Sequence, residues 1–329
     1  MSSDLLGVES IAFPDEESAA LVTGRAGNVL RPRGALRRLD ELAIWLAGWQ
    51  RTPRPGVARP VALIFGGDHG VAEDGVSAYP SQVTEAMVRA LEAGVATAAV
   101  MARRLGVTLR VVDVGVGVPT GNIRKTAALS DEAFKQAMAC GRGAVSTSAP
   151  TDVLVLGEIG IGNTTSAAAV SMKLFGGEAG DWVGPGTGLD LEGLAVKTKI
   201  VDTSVRRVTT EDPLEVLRQL GGWELAAIAG AVIEARQRSI PVLLDGFVVT
   251  SAVMPLDVAH PGFLDHCWPA HVSAEPGHRR LVEKLGREPI LDLEMRLGEA
   301  SGALAALPIL DLAARSVLEV ATFEEWGLT

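Results

Sequence analysis

The stretch Asp152–Thr165, DVLVLGEIGIGNTT, constrains the fold most, because an apolar run breaks into glycines and then meets residues that start helices. Val153, Leu154, Val155 and Leu156 read as a short parallel strand covered on both faces. Thr164, Thr165 and Ser166, ahead of Ala167–Ala169, read as the cap and start of a helix. Gly157, Gly160 and Gly162 lie between them. Glycine lets backbone N–H groups come close to a ligand and a helix N-terminus adds partial positive charge, so the natural guest is a phosphate. The spacing GxxGxGNTT matches neither the dinucleotide fingerprint GxGxxG nor the triphosphate loop GxxxxGK[ST]. A phosphate site and a plain tight turn both remain open.

Similar units recur along the chain. Pro60–Phe65 is an apolar strand running into Gly66-Gly67-Asp68-His69. Leu109–Val116 is a second, carrying Asp113, and Ile240–Leu244 another, ending in Asp245-Gly246. Helical patterns fill the intervals: residues 35–50, 82–105, 130–140 with Ser130 as N-cap, a segment carrying Lys197 and Lys199, 213–220 opened by Asp212-Pro213, and 223–238. The remainder, from HVSAEPGH onward, reads as helical, with Pro308 expected to kink or split the last helix. Strands alternating with helices in a chain that is 47% hydrophobic specify an α/β fold. The proline-rich segment RTPRPGVARP marks a boundary near residue 58. The helix at 35–50 and the C-terminal helix are each other's obvious partners, giving an α/β domain over 59–300 and a small helical domain from 1–58 plus 301–329.

A net charge of −10 argues against broad binding to nucleic acid or an anionic membrane, and leaves small molecules as partners. No run is expected to reach the roughly 18 apolar residues of a membrane span. Neither of the two cysteines sits in a CxxC pair and none of the five histidines in HExxH, so no metal and no cofactor are expected. The N-terminus MSSDLLGVES lacks the basic and apolar regions of a secretion signal, which implies a cytoplasmic protein.

Asp68, Asp113, Glu158 and Asp245 each follow a strand, where open α/β sheets place ligands and where carboxylates also cap helices. Lys197, beyond the glycine-rich GPGTG, either neutralises a phosphate or is a surface charge. Glu299 is a charge in an otherwise apolar, glycine-bearing segment. Either nearby N–H groups satisfy it at a helix entry, or it faces a dry pocket as a general base with a raised pKa. No nucleophile motif accompanies His69, which reads as a structural turn residue. Tyr79, the only tyrosine, either anchors its loop or stacks on a flat ligand.

FGGDHGVAEDGVSAYPSQVT, GEIGIGNTT, GPGTGLD with Lys197 beyond it, LLDGFVVTSA, HVSAEPGH and RLGEASGALAALP occur in one order. Together they resemble the nicotinate-nucleotide:dimethylbenzimidazole phosphoribosyltransferase family, which makes α-ribazole phosphate for the lower ligand of cobalamin. With a weaker match at RPRGALRRLDELAIWLAG, the resemblance spans residues 24–329. It implies an open, mainly parallel, Rossmann-like sheet flanked by helices, a small helical domain from both chain ends, and a homodimer. Its substrates are nicotinate mononucleotide and a benzimidazole-type base. By the same resemblance Glu299 matches the catalytic base. Gly160, Gly162, Asn163, Thr164, Lys197, Gly246 and Ser273 match the phosphate and nucleotide site, Glu158 and Asp245 the supporting acids, and Tyr79, Met87 and Leu297 the base pocket. The chain departs from the family at Pro185, where an arginine is usual, and at Ala300, where glycine is usual. Tyr79 and Met87 stand where some members carry serine and glutamine. Pro185 and Ala300 keep open an alternative, a non-catalytic mononucleotide-binding protein derived from the family. A nicotinamide dehydrogenase is disfavoured because no GxGxxG follows a strand.

Overall fold

The computed structural model describes residues 11–148 and 150–328; the N-terminal decapeptide read for a secretion signal lies outside them. Helices α1 (Glu16–Ala26) and α2 (Arg37–Gln50) precede strand β1 (Pro60–Gly67). Helices α3 (Gln82–Glu92) and α4 (Thr97–Leu105) lead to β2 (Thr108–Gly115), and α5 (Asp131–Ser146) to β3 (Val153–Ile159). Helices α6 (Asn163–Phe175), α7 (Leu191–Arg207), α8 (Pro213–Leu220) and α9 (Trp223–Gln237) then separate β3 from β4 (Val242–Leu244). The chain closes with α10 (Phe247–Ala259), β5 (Cys267–Pro269), β6 (His271–Val272), α11 (Pro276–Leu285), β7 (Leu291–Asp292) and α12 (Ser301–Leu318).

Five strands form one sheet in the order β2-β1-β3-β4-β5, every pair parallel. Side chains alternate across it. Leu63, Phe65, Leu154, Leu156 and Leu244 point into a core filled by α5, α6, α9 and α10. Ala62, Ile64, Val153, Val155 and Leu243 point the other way, onto Trp45 and Trp49 of α2, Ala98 of α4 and Leu304 of α12. The strand order reverses direction between β1 and β3. Connections leave to opposite faces there, and a crevice opens beyond the carboxyl ends of the two strands.

Several local expectations need correction. Residues 82–105 form two helices, because Gly94 takes φ +75° and turns the chain. The helix after Ser130 continues to Ser146, although the Ser130 side chain does accept from Ala133 N at its start. Strand β3 runs through Gly157 to Ile159, and α6 begins at Asn163 with Gly162 (φ +95°) in the cap position, so the threonines are inside the helix rather than capping it. The segment after α10 is not continuously helical: β5 was hidden in three residues, and residues 293–298 form no helix or strand. Pro308 sits at an exposed position within an unbroken α12. Helix α12 also corrects the membrane reading: with 18 residues and mean hydropathy 1.4 it is long and apolar enough to cross a bilayer, but 56% of it is buried inside the protein.

Candidate active site

A narrow cleft of about 100 Å³ occupies the crevice. Its walls include Glu158–Thr164, Gly186, Gly246, His271, Ser273, Glu275 and Arg296–Gly298. The expected nucleotide residues Gly160, Gly162, Asn163, Thr164, Gly246 and Ser273 are therefore brought together from three chain segments. A larger cavity of about 830 Å³ lies on the outer side of the Ser273–Pro276 turn, lined mainly by charged side chains, and shares only Ser273 and Glu275 with the cleft.

Lys197 lies just behind the cleft rather than on the surface. It is fully buried, with Nζ donating to Thr164 Oγ1 at 2.8 Å and to the Gly184 carbonyl at 3.0 Å. Burial lowers its pKa to about 8, opposed by the charge of Glu275. Glu275 accepts from Gly186 N at 2.9 Å, so the turn bearing Pro185 is held between a lysine and a carboxylate. The Pro185 carbonyl accepts from Gly188 N and Leu189 N and closes that turn. A cation stands nearby all the same: Arg296 donates to the Gly186 carbonyl at 3.0 Å and lines the cleft.

Opposite these groups stand the acids. Glu158, near the end of β3, accepts from Asn163 Nδ2. Its pKa is raised to about 8, first by burial and then by the charges of Asp245 and Glu224. The turn Leu297–Ser301 is laid directly on the end of this strand, with Glu299 N donating to the Glu158 carbonyl at 3.2 Å. A β-carbon on Gly298 would come within 2.6 Å of Glu158 Oε1, and one on Gly157 within 2.6 Å of the Ala300 β-carbon, so glycine is required at both positions for this approach. Glu299 and Ala300 take left-handed backbone, φ 61° and 66°. Glu299 is 2% exposed. Burial raises its pKa, while the Ala98 N–H in the first turn of α4 opposes the shift. Its Oε2 is buried without a hydrogen-bond partner among the described residues. A helix N-terminus thus faces the carboxylate, as one reading of Glu299 expected; Glu299 itself is not among the residues that line the cleft, whose wall on that side is Arg296, Leu297 and Gly298.

Asp245 does cap a helix, but a distant one: its Oδ1 accepts from Ala303 N at 2.9 Å in the first turn of α12, whose own cap residue is Ala300. Asp113 caps its own turn, accepting from Val116 N at 2.8 Å, and Asp68 accepts from Gly117 N at 2.8 Å. Of the three expected base-pocket residues, Leu297 lines the cleft. Tyr79 is 53% exposed and outside it, and Met87 packs on the core face of α3. His271 and Glu275 line the cleft without having been expected, and Glu224 lies beneath it. All three are buried, and nothing in the spacing of the sequence marks which polar residues folding will bury.

A family model described as phosphoribosyltransferase (DBI_PRT) matches residues 11–328. A nicotinate-nucleotide–dimethylbenzimidazole phosphoribosyltransferase of Allorhizobium ampelinum is 46% identical over 318 residues, covering 96% of this chain and 93% of the relative. One of the same name from Methylorubrum extorquens is 46% identical over 325 residues, 98% of this chain and 94% of its own. The crystal structure of CobT from Thermus thermophilus superposes with a TM-score of 0.91 at 37% identity, over 95% of this chain and 99% of that one.

Proposed function

The chain belongs to the nicotinate-nucleotide–dimethylbenzimidazole phosphoribosyltransferase family, and we propose that Glu299 is the base of its reaction, with the Gly160–Thr164 turn and Lys197 holding the nucleotide. The enzyme moves the 5-phosphoribosyl group from nicotinate mononucleotide to 5,6-dimethylbenzimidazole, giving α-ribazole 5'-phosphate and nicotinate. One benzimidazole nitrogen bonds to the ribose anomeric carbon as the bond from that carbon to the nicotinate nitrogen breaks. Attack comes from the face opposite the leaving group, which turns a β-nucleotide into an α-product. The proton on the other benzimidazole nitrogen passes to Glu299. The leaving pyridine carries its positive charge on the departing nitrogen, so it leaves without a strong general acid.

The observation that carries this reading is the buried Oε2 of Glu299, without a partner among the described residues, in a carboxyl whose pKa burial has raised. A carboxylate so placed binds a proton more readily than one in water, which is what a base needs when its partner is a weak acid. Lys197, lowered to about 8, still carries its charge at neutral pH and sits under Thr164 and Gly184 where a single phosphate would dock. Glu158 and Asp245 support the site, Asp245 by holding α12 and Glu158 by facing the cleft beneath Glu299's turn. The base is proposed to lie beside Leu297, the one of the three expected pocket residues that lines the cleft.

We assign the reaction to the cytoplasm and to a homodimer, the latter supported by exposed apolar side chains, Leu293 and Leu297 in the segment before Glu299 and Val95 just before the Ala98 turn that faces it. The helices from both chain ends, α1, α2 and α12, which share Val22, Ala43, Ala47 and Val317, form the proposed small domain over 1–58 and 301–329, beside 59–300. Mixing the protein with nicotinate mononucleotide and dimethylbenzimidazole and following free nicotinate tests the reaction. Release that depends on the base supports it. Tight mononucleotide binding with no release under any base would favour the non-catalytic alternative.

A further inference from the structure

His69, Ser166 and Glu224 form a buried chain that the reaction above leaves unused. His69 follows β1, Ser166 lies in the first turn of α6, and Glu224 in the first turn of α9. The three are at most 1% exposed. The imidazole Nε2 lies 2.6 Å from Glu224 Oε1, and Nδ1 lies 3.0 Å from Ser166 Oγ. The set has the composition of a hydrolase triad, but Ser166 is sealed from the cleft and has no reach to a substrate, so nucleophilic catalysis is excluded. Its position suggests another use. A β-carbon on Gly160 would stand 3.0 Å from Glu224 Oε1 and 3.5 Å from Asn163 Nδ2, and one on Gly162 would stand 3.3 Å from the His69 β-carbon. The glycine turn of the nucleotide site therefore rests directly on the His69–Glu224 pair. Asn163, at the end of that turn, donates to Glu158.

We propose that the His69–Glu224 pair is a positioning device for the transfer reaction: it fixes the Gly160–Asn163 turn from below and, through Asn163, aims the Glu158 carboxyl into the cleft. The proposal rests on the phosphoribosyltransferase reading and extends it to two residues that touch no substrate. Glu224 acts on Glu158 by charge as well as by geometry. The charged groups around Glu158 are Glu224 from α9, Asp245 from the end of β4 and Glu299 from the turn before α12, with His69 and His271 beside the first two. Burial and these carboxylates hold the Glu158 pKa at about 8. Removing the Glu224 charge lowers it.

Glu224→Gln is the discriminating variant, because it keeps the size of the side chain and an oxygen for His69 while deleting the charge. Calorimetric binding of nicotinate mononucleotide and kcat/KM are measured from pH 6 to pH 9 on the full chain. Expected are an inflection displaced to lower pH by about half a unit or more and a KM for the mononucleotide raised about tenfold with kcat less affected. His69→Gln, whose amide can replace Nε2, is expected to keep most of the affinity that His69→Ala loses. A Glu224→Gln profile that superimposes on that of the unaltered protein overturns the proposal, as does equal loss in the two His69 variants. If Glu224→Gln fails to fold, the His69 pair decides alone. Because binding is read separately from turnover, absence of nicotinate release would count against the transfer reaction and not against the positioning pair.

Discussion

At the scale of single residues, Glu299, Glu158 and Lys197 stand out in the sequence as candidates because each sits in or beyond a motif whose glycines imply a close approach. Their environments do not. That Lys197 is fully buried beneath Thr164, and that one oxygen of Glu299 has no partner among the described residues, follow from packing between segments more than 30 residues apart. Glu299→Gln is expected to lower turnover by at least about a hundredfold with mononucleotide binding largely intact, since it removes a base and little volume. Near-unaltered turnover in a steady-state assay would take Glu299 out of its role. Arg296 opens the RLGEASG motif but was not singled out as a candidate, yet it is a cation on the cleft wall beside Pro185. Arg296→Ala is expected to weaken mononucleotide binding by about tenfold, the loss of one partly exposed charge-assisted contact. Titration calorimetry giving an unchanged Kd would show that the anion is held without it.

At the scale of elements, the βα units were readable wherever apolar runs were long, as in β1 and β3. Strand β5 was missed because Cys267–Pro269 is only three residues long and is recruited by pairing with β4. Residues 293–298 carry helical residue types but are pulled across the sheet edge, where Ala274 N donates to the Met295 carbonyl at 3.0 Å and Arg296 reaches Gly186. The junction of β3 with the turn before α12 is the tightest of these contacts. Gly157→Ala would press a methyl onto Ala300 N and its β-carbon. The expected cost is about 1–3 kcal/mol of stability from overpacking. Turnover should fall further than the stability loss explains, because the displaced turn carries Glu299. Thermal melting combined with kcat measures both, and a variant of normal kcat would show that the contact does not aim the carboxylate.

At the scale of the whole molecule, buried titrating groups make stability depend on pH in opposite senses. His266 and His278, ordinarily near 6.5, are held at about 3, chiefly by burial. Between those values the unfolded chain binds protons the folded one refuses, so their contribution is lost as pH falls below 6.5. Glu158 is ordinarily near 4.5 and is about 8 in the fold. Over that window the folded chain holds a proton the unfolded one has released, so stability is lost as pH rises towards 8. At pH 6.5 each histidine of the unfolded chain is still half-protonated, and Lys197, ordinarily near 10.5 and held at about 8, opposes the carboxyl as pH approaches 8. Between about pH 7 and 7.5 the carboxyl is only partly offset, so the melting temperature is expected to fall with a slope below the roughly 1.4 kcal/mol per pH unit of a whole proton, and Glu158→Gln should abolish or reverse that fall. Differential scanning calorimetry across that range checks this; a slope unchanged in the variant would assign the dependence elsewhere. The parallel α/β architecture was legible because alternating strands and helices leave few alternatives, but the joining of the end helices to the sheet's second face was not, since it depends on which apolar stripe docks where.

The placement of Glu299 also has a consequence in time. A ribosome delivers the glycine turn, Lys197 and Glu158 well before residue 299, and Asp245 must wait for Ala303 before it can hold the last helix. On the proposed roles, a chain ended before residue 299 holds the residues assigned to the nucleotide and lacks the one assigned to the proton. Reaction then waits for the final helix to dock, and the order of synthesis places binding ahead of it.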